Sequence, residues 1–354
     1  MKIGIYSPYL DTLTGGEKYI FTMASCLSLE HEVTIFWDDF TILDEASKKF
    51  GLELSKVKVL PNILRNKGFL GKFIDTLTYD RFIFLSDGSI PLLGAKKLFI
   101  HFQFPVEWAN TSSLAFQIKK MFISKIICNS YYTKHYIDKK LGINSIVLHP
   151  PAEVKLKESL EKENTILTVG RFNRLTNGSD FKKLEEMVKA FKQFQKKRLK
   201  GWVFKIATSV RPQEEVEFAK FEKMLNSSSI KIYKNASYKE INDLYKEAKI
   251  YWHAAGFGED LDKHPERAEH FGISTVEAMA SGSVPIVINA GGQKEIVKHN
   301  DNGYLWNTTS ELIGYTHKIA TDHELRKRIS ERAKETSDNF SKERFCEELN
   351  HIIW

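Results

Sequence analysis

Short apolar runs rich in β-branched residues alternate with longer amphipathic stretches along most of this chain. In the first half, KIGIY (2–6), EVTIF (32–36), KVKVL (56–60), RFIFL (81–85), KLFIH (97–101), KIICN (125–129) and SIVLH (145–149) read as buried strands. Helical patterns near 16–29, 68–78, 113–123 and 131–141 lie between them. HPPAEVKLKESLEKEN (149–164) then breaks the pattern with a double proline and a charged run, the composition of a linker. After it the alternation restarts with strands TILTVG (165–170), VFKIAT (203–208), SIKIY (229–233), KIYWH (249–253) and VPIVI (284–288). Helices are expected at 182–198, near 213–225 and 238–246, after Ser274, and near 309–320 and 322–335. The last segment, SKERFCEELNHIIW, is an amphipathic helix with Phe345, Leu349 and Ile352 on one side. Such alternation implies α/β architecture: two doubly wound, Rossmann-like domains in series, residues 1–155 and 156–340, each with a mainly parallel sheet. In such sheets ligands bind outside the carboxyl ends of the strands, and the cleft between two such domains is the expected site.

Length and composition add limits. A chain of 354 residues is too long for one ordinary core. With 42% hydrophobic and 27% charged residues and no low-complexity tract, it is expected to be ordered throughout. The net charge of +7 is mild for this size and permits an anionic ligand or membrane surface. The signatures of nucleic-acid modules are absent, so nucleic acid is not an expected partner. Cys26, Cys128 and Cys346 are far apart and odd in number, which suggests neither a disulfide framework nor a zinc site and fits a reducing, cytoplasmic setting. The first strand is too short for a signal-peptide core, and no apolar run of membrane-spanning length occurs.

The most informative stretch is EHFGISTVEAMASGSVPIVINAGG (269–292). Glu269 and Glu277 stand with seven residues between them, around a helix start. Ser274 to Glu277 is a capping-box pattern, and Gly282 is a natural helix stop. One reading is purely local: Glu277 caps its own helix and Glu269 is a solvated loop charge. The other is chemical. Free N–H groups around Ser274 to Val276 and the positive helix end suit a diphosphate. Glu277 one turn in would then reach a ribose, Glu269 the hydroxyls of an attached sugar, and Phe271-Gly272 would allow close backbone approach.

The glutamate pair, followed by EAMASGSVPIV, GGQKEIV and NGYLW, resembles retaining glycosyltransferase family 4, of the two-domain GT-B fold. The similarity extends upstream through LYKEAKIYWHAAGFGED (244–260), and is greatest to mannosyltransferases of lipid-linked oligosaccharide assembly. TVGRFNRLTNGSDFKKLEEMVKAF (168–191) resembles the family's second signature, which places Arg171 and Lys182 on the donor diphosphate, with Lys183 as the alternative if the register shifts by one. SPYLDTLTGGEKYIF (7–21) resembles the glycine-rich loop after the first strand, with Gly16 at the donor. His101, at the end of KLFIH, matches a histidine close to the transferred sugar. Looser candidates are Ser86 and Asp87 in FLSDG, and His253 and Glu259 near WHAAGFGED.

The resemblance implies hexose transfer from a nucleoside diphosphate sugar, GDP-mannose first and a UDP-hexose next, to an acceptor hydroxyl with retention. Catalytic roles fall to His101 and Glu269. Donor binding falls to Gly16, Arg171, Lys182, Phe271, Gly272, Ile273, Ser274, Thr275 and Glu277. No Asp-x-Asp-like metal motif stands in a suitable context, so no metal or other cofactor is expected beyond the nucleotide-sugar co-substrate. The terminal helix 341–354 is expected to pack back on the first domain. A GT-B epimerase, or a non-catalytic sugar-nucleotide-binding subunit, is the alternative. The acceptor is expected to be a glycan or lipid-linked. Residues 56–72 carry five basic residues without an acid, interleaved with Phe69 and Leu70, and LAFQIKKMFISK (114–125) mixes bases and apolar residues similarly. Peripheral contact with an anionic membrane is the expectation these segments raise; a solvated face over a core helix is the plainer one.

Overall fold

The computed structural model describes residues 1–109, 111–152, 162–175, 178, 180–196 and 201–354. Contacts divide the chain into two compact units, Met1–Pro151 with Lys342–Trp354, and Ala152–Ser341. The charged part of the expected linker, 153–161, lies outside the described residues.

The first unit runs β1 (Lys2–Tyr6), α1 (Gly15–Leu27), β2 (Glu32–Phe36), α2 (Ile42–Phe50), β3 (Val57–Leu60), α3 (Ile63–Asn66), α4 (Phe69–Thr76), β4 (Arg81–Leu85), β5 (Lys97–Phe102), α5 (Leu114–Lys120), β6 (Ile123–Cys128), α6 (Tyr131–Leu141) and β7 (Ile146–Val147). All pairings are parallel, in the order β3-β2-β1-β4-β5-β6-β7. Strands buried on both faces explain the near-continuous apolar runs seen in the sequence. One face packs on α1 and α2 through residues such as Tyr19, Ile20 and Ile42. The other is covered by side chains that include Leu64, Phe116 and Ile137.

The second unit runs β8 (Glu163–Arg171), α7 (Leu184–Lys196), β9 (Val203–Ser209), α8 (Glu215–Leu225), β10 (Ile230–Lys234), α9 (Tyr238–Glu247), β11 (Ala248–His253), α10 (Ile273–Ala280), β12 (Val284–Ile288), α11 (Gln293–Ile296), β13 (Tyr304–Trp306), α12 (Thr309–Thr321) and α13 (His323–Ser337). Its sheet is parallel in the order β10-β9-β8-β11-β12-β13. In each sheet the chain enters at a central strand, works outward to one edge and then returns to build the other side. The strand order therefore reverses between β1 and β4, and between β8 and β11. Such reversals open a crevice at the carboxyl ends of the two strands.

The final helix, α14 (Lys342–Ile353), belongs to the first unit. Phe345, Leu349, Ile352 and Ile353 enter the same core as α1, and Arg81 and Lys125 donate to the carbonyls of Ile353 and Ile352. This return overturns one expectation. Cys26 in α1 and Cys346 in α14 form a disulfide, with Cα atoms 5.4 Å apart and 320 residues between them in sequence. Cysteine spacing along the chain cannot show a partner that the fold delivers, and the cysteine argument for a reducing compartment falls with the expectation. Cys128 is free and buried, its thiol pushed up to about 12 by burial. Among the described residues no helix is long and apolar enough to cross a membrane.

Candidate active site

The crevice of the second unit gathers residues from four segments. β8 ends at Arg171, which is half-buried; among the described residues its guanidinium has no hydrogen-bond or ion-pair partner. Asp180 then caps α7: its carboxylate accepts from the backbone N–H of Lys182 at 2.9 Å and from that of Leu184. That turn aims the neighbouring lysines apart, with Lys183 at φ 57°. Lys182 crosses Gly170, where a Cβ would meet the lysine stem at 2.7 Å, and its Nζ reaches Glu269 Oε2 at 2.5 Å. Lys183 instead pairs with Glu259, which also accepts from Arg267 at 2.9 Å. The two lysines thus part: Lys182 meets Glu269, and Lys183 belongs to a separate buried ion cluster.

β11 ends at His253, beside β8. Its Nε2 lies 2.8 Å from the same Glu269 oxygen. A carboxylate only accepts, so this nitrogen carries the proton and Nδ1 is left a bare acceptor, buried and without a partner among the described residues. Burial raises the proton affinity of Glu269, but the Lys182 charge and the His253 hydrogen bond outweigh it and hold the carboxyl well below its usual range. Burial and the Lys182 charge push His253 down, so the imidazole is neutral at pH 7.

α10 begins at this crevice. The expected capping box is not formed. Gly272, at φ 119°, takes the cap position, so Ser274 stands inside the first turn and Glu277 one turn further in. Ser274 Oγ accepts from the Tyr251 hydroxyl at 2.8 Å, and Glu277 Oε2 from the Tyr245 hydroxyl at 2.9 Å. The free amides also shift. Thr275 and Val276 N–H both bond the Gly272 carbonyl, at 3.0 and 3.2 Å, which leaves those of Ile273 and Ser274 open among the described residues. The side chains of Phe271 and Thr275 are buried away from the crevice, and Ile273 packs against the same core. Phe271 lies edge-on to Phe340, and Thr275 donates to Gln293 at 2.9 Å. Phe271 and Thr275 therefore offer the crevice main chain rather than side chain, whereas Ile273 is only partly buried. The helix stops at Ser281 and Gly282, as expected.

The Gly291-Gly292 pair accounts for the loop's position. Gly292 N–H donates to the Glu269 carbonyl at 2.8 Å. A Cβ on Gly291, at φ 59°, would sit 2.2 Å from that oxygen. Gln293 lies against Gly272, 2.4 Å from where a Cβ would be. Tyr245, Tyr251, Asp180 and Gln293 are the contributors that motif reading missed; Gly-Gly directly before Gln293 was the one local signal of close backbone contact.

Gly16 and His101 lie in the first unit. Gly16 is in the first turn of α1, its carbonyl accepting from Gln103 Nε2 at 3.1 Å. Glu17 folds back on Thr14, accepting from its N–H at 2.7 Å and its hydroxyl at 2.6 Å, so it caps its own helix. His101 is fully buried and stacked on Tyr19 at 4.6 Å. Nδ1 lies 3.2 Å from the Ile127 carbonyl, so Nδ1 carries the proton, and Nε2 has no partner among the described residues. Burial pushes its pKa down to about 3, which makes it a neutral imidazole at physiological pH. Ser86 and Asp87 follow β4 and form a local turn with Ser89.

The family model described as glycosyl transferases group 1 matches residues 152–336, more than half of the chain and nearly all of the second unit. The chain belongs to this family. It is 26% identical over 262 residues to the GDP-Man:Man(3)GlcNAc(2)-PP-Dol alpha-1,2-mannosyltransferase of Dictyostelium discoideum, covering 69% of this chain but only 50% of that protein. It is 25% identical over 378 residues to an alpha-1,4-N-acetyl-D-galactosaminyltransferase of Campylobacter jejuni that acts on an undecaprenol-linked glycan, covering 99% of this chain and 96% of that one. The solved structure of Anabaena HepE with UDP and glucose aligns over 99% of both chains with a TM-score of 0.73 at 17% identity, and WaaG over 100% and 99% with 0.67 at 13%. The fold of this group 1 glycosyltransferase is GT-B, and its activity class is glycosyl transfer.

Proposed function

We propose that this glycosyltransferase moves a hexose from a nucleoside diphosphate sugar to an acceptor hydroxyl, with retention and without a metal. The observation that carries the reading is the pairing of Lys182 with Glu269 beside an open helix start, with Arg171, at the end of β8, unpartnered among the described residues. The diphosphate lies against the free amides of Ile273 and Ser274. Arg171 and Lys182 neutralise the negative charge that grows on it as the glycosidic bond breaks. Lys182, held by Glu269 before the reaction, needs little reorganisation, and together with Arg171 it takes the place of a divalent cation electrostatically. Glu269, kept ionised, accepts from sugar hydroxyls, and Glu277 takes the ribose. Attack comes from the face the phosphate leaves, as the family resemblance implies, so no enzyme nucleophile is assigned.

GDP-mannose is the donor we favour, on the strength of the Dictyostelium relative's donor; a UDP-hexose is second. The acceptor is a glycan carried on a lipid, the kind of acceptor the mannosyl- and N-acetylgalactosaminyl-transferring relatives are named for. Proton NMR of donor turnover in EDTA tests the reading. An α-configured product from an α-configured donor, at an unchanged rate in chelator, is expected. A β product, or loss of turnover in EDTA that Mg²⁺ restores, would overturn it.

A further inference from the structure

Lys182 and Lys183 are neighbours in sequence, yet their side chains end on different carboxylates. The divergence needs left-handed backbone at Lys183, φ 57°, which is disfavoured for any residue with a Cβ. Backbone of this kind persists only where its surroundings fix it. Two contacts do so here. Asp180 takes the N–H groups of Lys182 and Leu184 on its carboxylate, and that of Lys183 on its carbonyl at 3.1 Å. The Lys183 ammonium is seated on Glu259, and the two side chains are only 7% and 5% exposed.

Glu259 uses both oxygens. Oε1 accepts from Lys183, and Oε2 from Arg267 Nη1 at 2.9 Å. The carboxylate stands in the loop after β11, where the Phe257 and Glu259 N–H groups donate to the carbonyls of Ala254 and Gly256. Phe257 packs on Trp306 of β13, with ring centroids 5.1 Å apart, which anchors the loop. Arg267 stands two residues before Glu269. The turn that carries Lys182 and the segment that carries Glu269 are therefore joined twice. One joint is Lys182–Glu269 itself. The other runs through Glu259, one residue away on the first segment and two on the second.

The joints differ in depth. The Lys182 and Glu269 side chains are 15% and 19% exposed, so an anion in the crevice can compete for the lysine. The Lys183–Glu259 pair lies deeper, and a buried pair of this kind is costly to break.

We infer that Glu259 is a positioning residue: by clamping Lys183 and Arg267 it keeps Lys182 and Glu269 in register while the donor's diphosphate draws Lys182 off the carboxylate. The inference rests on the donor site proposed above. A double-mutant cycle read by calorimetric titration of UDP and GDP into the full chain tests it, using the nucleotide that binds the wild type more tightly. Glu259→Gln keeps the shape but leaves the two cations without a charge partner, and is expected to lower diphosphate affinity about five-fold. Lys182→Ala is expected to lower it about ten-fold. In the Lys182→Ala background, Glu259→Gln is expected to change it no further, because a residue that acts through Lys182 has nothing left to position. A purely structural role would instead lower affinity by the same factor in both backgrounds. Lys183→Met with Glu259→Leu and Arg267→Met removes the charges while filling their volume, so it is expected to fold and still bind about five-fold more weakly. It takes the place of Glu259→Gln in the cycle if that variant does not fold. Glu185→Gln, which breaks the 2.6 Å pair with Arg174 at the start of α7, is the control and leaves affinity unchanged. Wild-type affinity in the Glu259 variants, or an equal loss in both backgrounds, overturns the positioning role and leaves the donor site standing. Wild-type affinity in Lys182→Ala, or no binding of either nucleotide, overturns both.

Discussion

Glu269 Oε2 takes hydrogen bonds from Lys182 and His253 at once, so the carboxylate stays charged in a site that burial alone would neutralise. Glu269→Gln keeps the shape and removes the charge. Donor turnover is expected to fall about a hundred-fold in kcat with a smaller change in KM, the scale of losing one charge-assisted contact made in the transition state; stopped assays of donor consumption read it. His101 gives a prediction of a different kind. Its folded pKa of about 3 lies below the ordinary value for histidine. The unfolded chain therefore takes up a proton that the folded chain refuses. The stabilisation is complete above about pH 6.5 and is lost as pH falls towards 3. Between pH 7 and pH 5 the loss is about 2 kcal/mol. His101→Gln should remove that share of the acid sensitivity, read as a flatter dependence of the urea midpoint on pH. The chemical residues at this scale were legible as types at spacings: Glu269, Lys182 and Arg171 stand in recognisable signatures. Their partners were not. Tyr245, Tyr251 and Gln293 reach the site from other elements, and nothing local distinguishes them from core residues. The capping box misled for the same reason, because Ser-x-x-Glu describes a helix start only if no nearby glycine can take the cap.

At the scale of elements, the 291–293 turn supports the loop that carries Glu269, backbone against backbone. Gly291→Ala would place a methyl group 2.2 Å from the Glu269 carbonyl while holding a left-handed backbone. A loss of about 3 kcal/mol from the stability of the second unit is expected, from the αL penalty and overpacking together. Gly258→Ala is the control: its φ is 74° but nothing lies within 4 Å, so only the smaller backbone cost of about 1 kcal/mol applies. Urea denaturation of the two variants separates them. Most strands were legible because strands covered on both faces leave continuous apolar runs, as in RFIFL and VPIVI. α2, α3, α11 and β13 were not read: β13 has three residues, α3 and α11 one turn each, too short for periodicity to register. α2 is longer, but it lies within a mostly exposed segment with only Ile42 and Ala46 buried.

Across the whole molecule, the last helix closes the first unit covalently as well as by packing. Peptide mapping under non-reducing conditions is expected to yield a Cys26–Cys346 link, with Cys128 labelled only after unfolding. Cys346→Ser should cost the first unit about 2–4 kcal/mol, the usual scale for such a cross-link. Three free thiols in the folded chain would contradict the linkage. The central claim is that a donor's two phosphates lie against the start of α10, clamped by Arg171 and Lys182. Calorimetric titration with a nucleoside diphosphate and with its parent nucleoside tests it most directly. In Arg171→Ala and Lys182→Ala, diphosphate affinity should fall at least about ten-fold each, while affinity for the nucleoside stays as in the wild type. Equal diphosphate affinity in the wild type and both variants would contradict it.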